Sequence, residues 1–149
     1  EDTPSAIARK NGMSYVGLDG DIGCIVNGAG LAMAMLDMIK QYGGEAANFM
    51  DVRAGANEEQ MKIAMRLVAS NKKVRIIVIN IFGGITKCDE VARGIIDSGI
   101  KIPAVIRLTG TNEEKGQKML EEHGMIPVSS SEEAARRAVA IGHPDRQKN

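Results

Sequence analysis

Two glycine clusters carry the residues best suited to chemistry. One is Asn27-Gly28-Ala29-Gly30, at the end of the short β-type run Ile22 to Val26. The other is Gly83-Gly84, which follows Asn80-Ile81-Phe82. Each lies just ahead of an apolar helical pattern. Unpaired backbone N–H groups at a helix start, together with the helix dipole, favour an anion such as phosphate or carboxylate, and glycine lets that anion approach the backbone. At the second cluster Gly83 and Gly84 form the expected phosphate-type helix N-terminus. The competing reading is that these glycines only make tight βα turns, and the pattern alone does not choose the anion.

Other side chains offer less. Gly28-x-Gly30-x-x-Met33 nearly matches the dinucleotide fingerprint, with Asp51 at the right distance for a ribose contact. Met33, however, stands where close packing wants Gly or Ala. A phosphate-accepting receiver of the same architecture would need acids where this chain has Asn27 and Asn80. There is no Gly-Lys-Ser/Thr phosphate loop. His123, beside Gly124 at an expected helix C-terminus, is a dipole-matched cap or a catalytic group. His143 falls in a polar tail and reads as inert. Cys88, expected one turn inside the helix after Gly84, is either a dipole-activated thiol or a buried bystander. Cys24 and Cys88 are read as reduced thiols, and neither has zinc-site spacing. Met35, Met61 and Met65 read as core. What remains is an anion site without a nucleophile, base or metal cluster, which is half an active site.

The elements that must hold these residues alternate along the chain. Tyr15 to Leu18 and Ile22 to Val26 are short β runs around Asp19-Gly20-Asp21, a hairpin-turn signal. Ala32, Met35, Leu36 and Ile39 make a helical stripe that Gly43-Gly44 stops. Ala47 to Val52 is a strand. Asn57 to Gln60 has capping-box spacing ahead of Met61, Ala64, Met65 and Val68. Val74 to Ile81 is almost continuous β-branched sequence, as in a central parallel strand covered on both faces. A helix from Gly84 to Ile96, a strand over Ala104 to Leu108 and a helix opened by Asn112 follow. The short strand Ile126 to Val128 precedes a helix capped by Ser130. This predicts an α/β, flavodoxin-like, doubly wound parallel sheet of five strands in the order 2-1-3-4-5, with an N-terminal hairpin edge strand. In that order the switch-point crevice opens between the first and third strands, where both glycine clusters fall.

Composition sets the outer bounds. The chain has 149 residues, with 19 Lys and Arg against 19 Asp and Glu. A net charge of zero argues against nucleic acid or an anionic membrane surface as partner. No apolar run approaches the roughly 20 residues of a membrane helix. Aromatic residues make up 3%, with no Trp, so few side chains are available to stack on a flavin or base. The polar start, without an initiator Met or signal pattern, reads as a cut fragment of a cytoplasmic-type protein.

Several long motifs, in order, carry a family resemblance. They are Leu18-Asp19-Gly20-Asp21-Ile22-Gly23-Cys24-Ile25-Val26-Asn27-Gly28-Ala29-Gly30-Leu31-Ala32-Met33, the stretch Tyr42 to Val52, Val78 to Ile85, Cys88-Asp89, and Arg107-Leu108-x-Gly110-Thr111-Asn112. Over residues 13 to 141 the chain resembles the C-terminal domain of the succinate–CoA ligase β subunit. Ligases for malate or citrate share the domain plan. The resemblance implies residues 1–12 as a lead-in from an ATP-grasp region, a flavodoxin-like CoA-ligase domain over 13–142, and a tail over 143–149. It implies reversible formation of succinyl-CoA from succinate and CoA with ATP or GTP and Mg2+. It also implies an α subunit that binds CoA and carries a transiently phosphorylated histidine. Asn27 would then contact succinate, as would Gly84, Ile85 and Thr86. The helix starting there would face the phosphohistidine. The setting would be cytoplasmic, or the mitochondrial matrix in a eukaryote. The alternative is a stand-alone module that binds a dinucleotide or another anion. One departure stands out: Arg53 and Ala54 occupy Asp51-Val52-Arg53-Ala54-Gly55-Ala56, where the family usually has Asp-Val-Gly-Gly-Gly-Ala.

Overall fold

The computed structural model describes residues 3–144. Expectations for residues 1–2 of the lead-in and 145–149 of the tail fall outside them. The elements run α1 (Pro4–Lys10), β1 (Ser14–Gly17), β2 (Ile22–Val26), α2 (Ala29–Gln41), β3 (Asn48–Asp51), α3 (Glu58–Ala69) and β4 (Ile76–Ile81). They continue with α4 (Cys88–Asp97), β5 (Ala104–Leu108), α5 (Glu113–Glu122), β6 (Ile126–Pro127) and α6 (Ser131–Gly142). The single sheet has the order β1-β3-β2-β4-β5-β6. All neighbours pair in parallel except β1, which lies antiparallel on β3. Without β1 the order is the expected 2-1-3-4-5.

Strand side chains alternate between two core layers, as the two-residue period of a strand requires. Ile77, Ile79 and Ile81 of β4 face α3 and α4 with Met61, Met65, Val91 and Ile95. Ile76 and Val78 face α2 and α6 with Met35, Ile39, Ala135 and Val139. Every residue of β2 and β4 is buried, which is why both read as unbroken apolar runs.

Two expectations about elements are corrected and another is filled in. The first concerns β1, which is an edge strand but not half of a hairpin with β2. Both edges of β2 are taken by parallel neighbours, so β1 pairs with β3 instead. The Asp19-Gly20 turn serves a crossing over the amino end of β3. There Leu18 N–H and Gly20 N–H donate to Ala47 and Ala46 carbonyls, at 2.8 and 2.9 Å. A Cβ on Gly20 would fall 2.1 Å from the Glu45 carbonyl oxygen, so only glycine makes that crossing.

Second, residues 4–10 of the lead-in form a helix. Thr3 caps it, Pro4 begins it, and its Ala8 is fully buried in the core. Third, the helix expected from Gly84 begins at Cys88. The intervening residues form a turn and a short parallel bridge between Lys87 and Thr111, which holds the chain extended at Lys87 before it can coil.

The β2–β3 pairing contains a bulge. Ile22 bridges Ala46 and Ile25 pairs with Met50, so three steps on β2 match four on β3. The fully buried Asn48 repairs the gap. Its amide bonds both the N–H and the C=O of Cys24, at 3.4 and 3.1 Å.

Candidate functional site

At their carboxyl ends β2 and β4 pair as far as Val26 and Asn80 and then part. β2 leads to α2 on one face of the sheet, and β4 to α4 on the other. This divergence makes the crevice of an open α/β sheet.

Asn27 is the first residue beyond the ladder. Its Nδ2 donates to the Phe82 carbonyl at 2.6 Å, and its Oδ1 accepts from the Phe82 N–H at 3.2 Å. The amide thus continues the β2–β4 pairing with a side chain. One Nδ2–H remains for a ligand, so the expected donor is present but locked in direction. Gly28 follows at φ +130, with its N–H on Asp51 Oδ1 at 2.8 Å. No side chain caps α2, its first turn holds no acid, and added Cβ atoms at Gly28 or Gly30 would meet nothing within 4 Å. The start of this 13-residue helix is therefore open, with its N–H groups and positive dipole end available.

Across the crevice, Gly83 to Lys87 form a braced turn. Thr86 N–H donates to the Gly83 carbonyl at 3.1 Å, and the Thr86 carbonyl accepts from Thr111 N–H at 2.9 Å. The expected Thr86 N–H donor is thus engaged, leaving Gly84 and Ile85. Thr86 is 3% exposed and Ile85 68%. Gly110, at φ +146, presses on this turn: a Cβ there would lie 2.7 Å from the Thr86 carbonyl oxygen. Asn112 has φ +59 and does not cap α5 with its side chain. Its Nδ2 donates to Asp89 Oδ1 at 3.2 Å, and this hydrogen bond is the main cause holding the Asp89 carboxyl below its usual range.

The remaining candidates sort by their partners. Cys88 is buried, and burial, then Glu113 and Asp89, push its thiol up to about 11, so dipole activation does not prevail. His123 Nδ1 lies 2.9 Å from the Met119 carbonyl at the end of α5, as a cap would. His143, read as inert, instead has Nε2 2.9 Å from Asp21 Oδ1, with Arg75 Nε 3.8 Å from Oδ2. That contact ties the end of α6 to the start of β2. Asp51 Oδ1 accepts from both Gly28 and Arg53 N–H groups at 2.8 Å, an arrangement that closes loops rather than reaching for a ribose. A cleft of about 460 Å3 sits at the amino ends of the strands, away from the crevice, between charges such as Asp21 and Arg75 that pair with each other. Among the described residues there is no group of three or more His, Cys, Asp or Glu side chains placed to hold a metal ion.

Sequence reasoning missed one feature. Arg107 Nη1 donates to Asn80 Oδ1 at 3.3 Å, and its guanidinium lies 4.9 Å from the centre of the Phe82 ring. The available signal was a lone Arg and a lone Asn in two otherwise apolar strands that pair in register.

Comparison with known proteins decides the family. The CoA-ligase family model matches residues 25–141. The chain belongs to the CoA-ligase family. It is 53% identical over 140 residues to the ADP-forming succinate–CoA ligase β subunit of Staphylothermus marinus, covering 91% of this chain and 37% of that one. It is 51% identical over 146 residues to its counterpart from Sorangium cellulosum, covering 94% and 37%. The chain thus spans little more than a third of the length of these curated relatives. In fold it is similar to ATP citrate lyase from Methanothrix soehngenii, with a TM-score of 0.77 at 17% identity over 95% of this CoA-ligase chain and 45% of that one.

One expectation changes here. The sequence resemblance implies the C-terminal domain of the β subunit. The family segment takes up residues 25–141 of this chain, and the matches fix how much of each relative is covered, 37%, and not which end of it. A CoA-ligase domain with β-subunit relatives stands; a C-terminal assignment does not.

Proposed function

We propose that this CoA-ligase chain supplies the carboxylate-binding half of a succinate–CoA ligase active site, as part of a β-type subunit. The observation that carries the reading is the Asn27 amide, clamped on Phe82 at the switch point. Its remaining N–H is fixed beside the open start of α2 and the Gly83-Gly84-Ile85 turn. A dicarboxylate end group asks for such a set of neutral donors, with Gly84 and Ile85 N–H groups opposite and Thr86 holding the turn's shape.

On this reading the partner α subunit binds CoA and carries the phosphorylated histidine, which accounts for half a site here. A nucleotide-binding ATP-grasp region of the complete protein would use ATP or GTP with Mg2+, in a cytoplasmic or mitochondrial-matrix setting. Similarity to the ADP-forming succinate–CoA ligase β subunits of Staphylothermus marinus and Sorangium cellulosum supports the succinate and β-subunit readings.

The test is Asn27→Ala in the complete enzyme. Losing a hydrogen bond to a charged group costs about 1.5–3 kcal/mol, so succinate use is expected to fall roughly ten- to a hundredfold. Phosphorylation of the partner's histidine by nucleotide, which does not involve succinate, is expected to persist. Wild-type succinate kinetics, or an equal loss of phosphorylation, would remove Asn27 from the carboxylate site.

A further inference from the structure

The direction of the Asn27 amide is set by Phe82, so whatever holds Phe82 aims the amide. On its backbone side Phe82 meets Asn27, at 2.6 and 3.2 Å. On its ring side it meets Arg107, 4.9 Å from the ring centre. Arg107 is itself anchored. It pairs in register with Asn80, whose Oδ1 accepts from Nη1 at 3.3 Å. Asn80, fully buried, donates through Nδ2 to Ser131 Oγ at 2.8 Å in the first turn of α6.

Arg107 stays in this place at a cost. Its Nε is buried and, among the described residues, has no hydrogen-bond partner. An unmet donor on a partly desolvated cation is unfavourable, and an apolar side chain in β5 would avoid it. The contact with the Phe82 ring and the bond to Asn80 offset that cost. Their combined effect is a connected series, Ser131–Asn80–Arg107–Phe82–Asn27, running from α6 across β4 and β5 to the crevice.

We propose that Arg107 is a positioning residue: by holding the Phe82 ring it fixes the Phe82 peptide, and with it the Asn27 amide and the turn from Gly83. The proposal rests on reading Asn27 as the carboxylate contact. Arg107 acts through Phe82 and does not touch the substrate.

The experiment uses the natural full-length protein with its partner subunit and compares Arg107→Met, Arg107→Lys, Asn27→Ala and the Arg107→Met/Asn27→Ala pair. Arg107→Met is expected to raise the succinate KM about tenfold, the scale of a partly desolvated cation–π contact, with nucleotide-driven histidine phosphorylation unchanged. Arg107→Lys, which keeps a cation over the ring, recovers most of that loss. In the Asn27→Ala background the Arg107 change adds less than about twofold, because the group it aims is gone. The Phe82 amide hydrogen, donated to Asn27, exchanges faster in Arg107→Met. Equal losses in both backgrounds, or unchanged Phe82 exchange, overturn the proposal. If Asn27→Ala leaves succinate use intact, the carboxylate reading fails, while Phe82 exchange still decides whether Arg107 positions the amide. Should Arg107→Met not fold, Phe82→Leu at its partly exposed position carries the same KM comparison, and an unchanged succinate KM overturns the proposal.

Discussion

Arg53 holds a left-handed backbone, at φ +65, in the loop after β3. A side chain in that region costs about 1–2 kcal/mol, part of which glycine returns as backbone entropy. The return for Arg53 is small: its Nη2 donates to Ser14 Oγ at 3.2 Å on the exposed surface. Arg53→Gly is therefore expected to stabilise the protein by about 0.5–1 kcal/mol, read from the denaturation midpoint. A destabilised variant would show that the guanidinium contributes more than this bond. The thiols give a second expectation. Burial pushes the Cys88 thiol up to about 11 and the Cys24 thiol up to about 12, so both stay protonated at pH 8. Neither should alkylate in the native protein at pH 8, and both should once denaturant exposes them. Rapid native labelling of Cys88 would place it in an opened α4 start. The same residues mark how far single positions were legible. Asn27 and the two glycine clusters announce themselves by type and place. The locking of Asn27 on Phe82 does not, because it joins residues 55 apart through backbone atoms that no residue type signals.

At the scale of elements, close approach decides more than propensity. Gly94 lies within α4, where alanine would normally favour the helix by about 0.5–1 kcal/mol. Its added Cβ would fall 2.3 Å from the Glu58 carbonyl oxygen at the start of α3. Forcing the two helices apart costs about 1–3 kcal/mol, so Gly94→Ala is expected to destabilise on balance. Gly30, in the first turn of α2, meets nothing within 4 Å, so Gly30→Ala should leave stability equal or higher. Thermal melts of the two variants would reverse this order only if the α3–α4 contact were looser than it stands. The order of the parallel strands was legible because the fully buried β2 and β4 can only be central and the helical stripes alternate with the strands. The pairing of β1 was not. An Asp-Gly turn marks a tight reversal, whether it closes a hairpin or crosses a neighbouring strand, and only the occupied edges of β2 separate the two. The start of α4 was hidden for a similar reason: the Lys87–Thr111 bridge joins two loops that no local pattern connects.

The whole molecule has two unlike ends. At the amino ends of the strands polar groups meet one another, with the Asp21 carboxylate between the Arg75 guanidinium and the His143 ring. The Arg75–Asp21 pair, with its guanidinium largely exposed and 3.8 Å away, contributes little stability, which rests on the two apolar layers. At the carboxyl ends, large apolar side chains remain uncovered: Met33 in α2 is 57% exposed, and Phe82 and Ile85 in the β4–α4 connection are 43% and 68% exposed. Phe82 and Ile85 flank the glycines that the proposed site uses. Exposed apolar side chains beside an incomplete site are the arrangement expected where a second chain completes it. Hydrogen exchange with and without the partner subunit that the proposed function calls for tests this directly. Gly84 and Ile85 have N–H groups without partners among the described residues and should exchange fast alone. Covering them should slow their exchange, and succinate should slow it further. Thr86 N–H, already bonded to Gly83, should change less. Unchanged exchange across residues 83–87 in a demonstrated complex would place the partner elsewhere. Slowing of Thr86 alone would mean that the partner stiffens the turn without covering it.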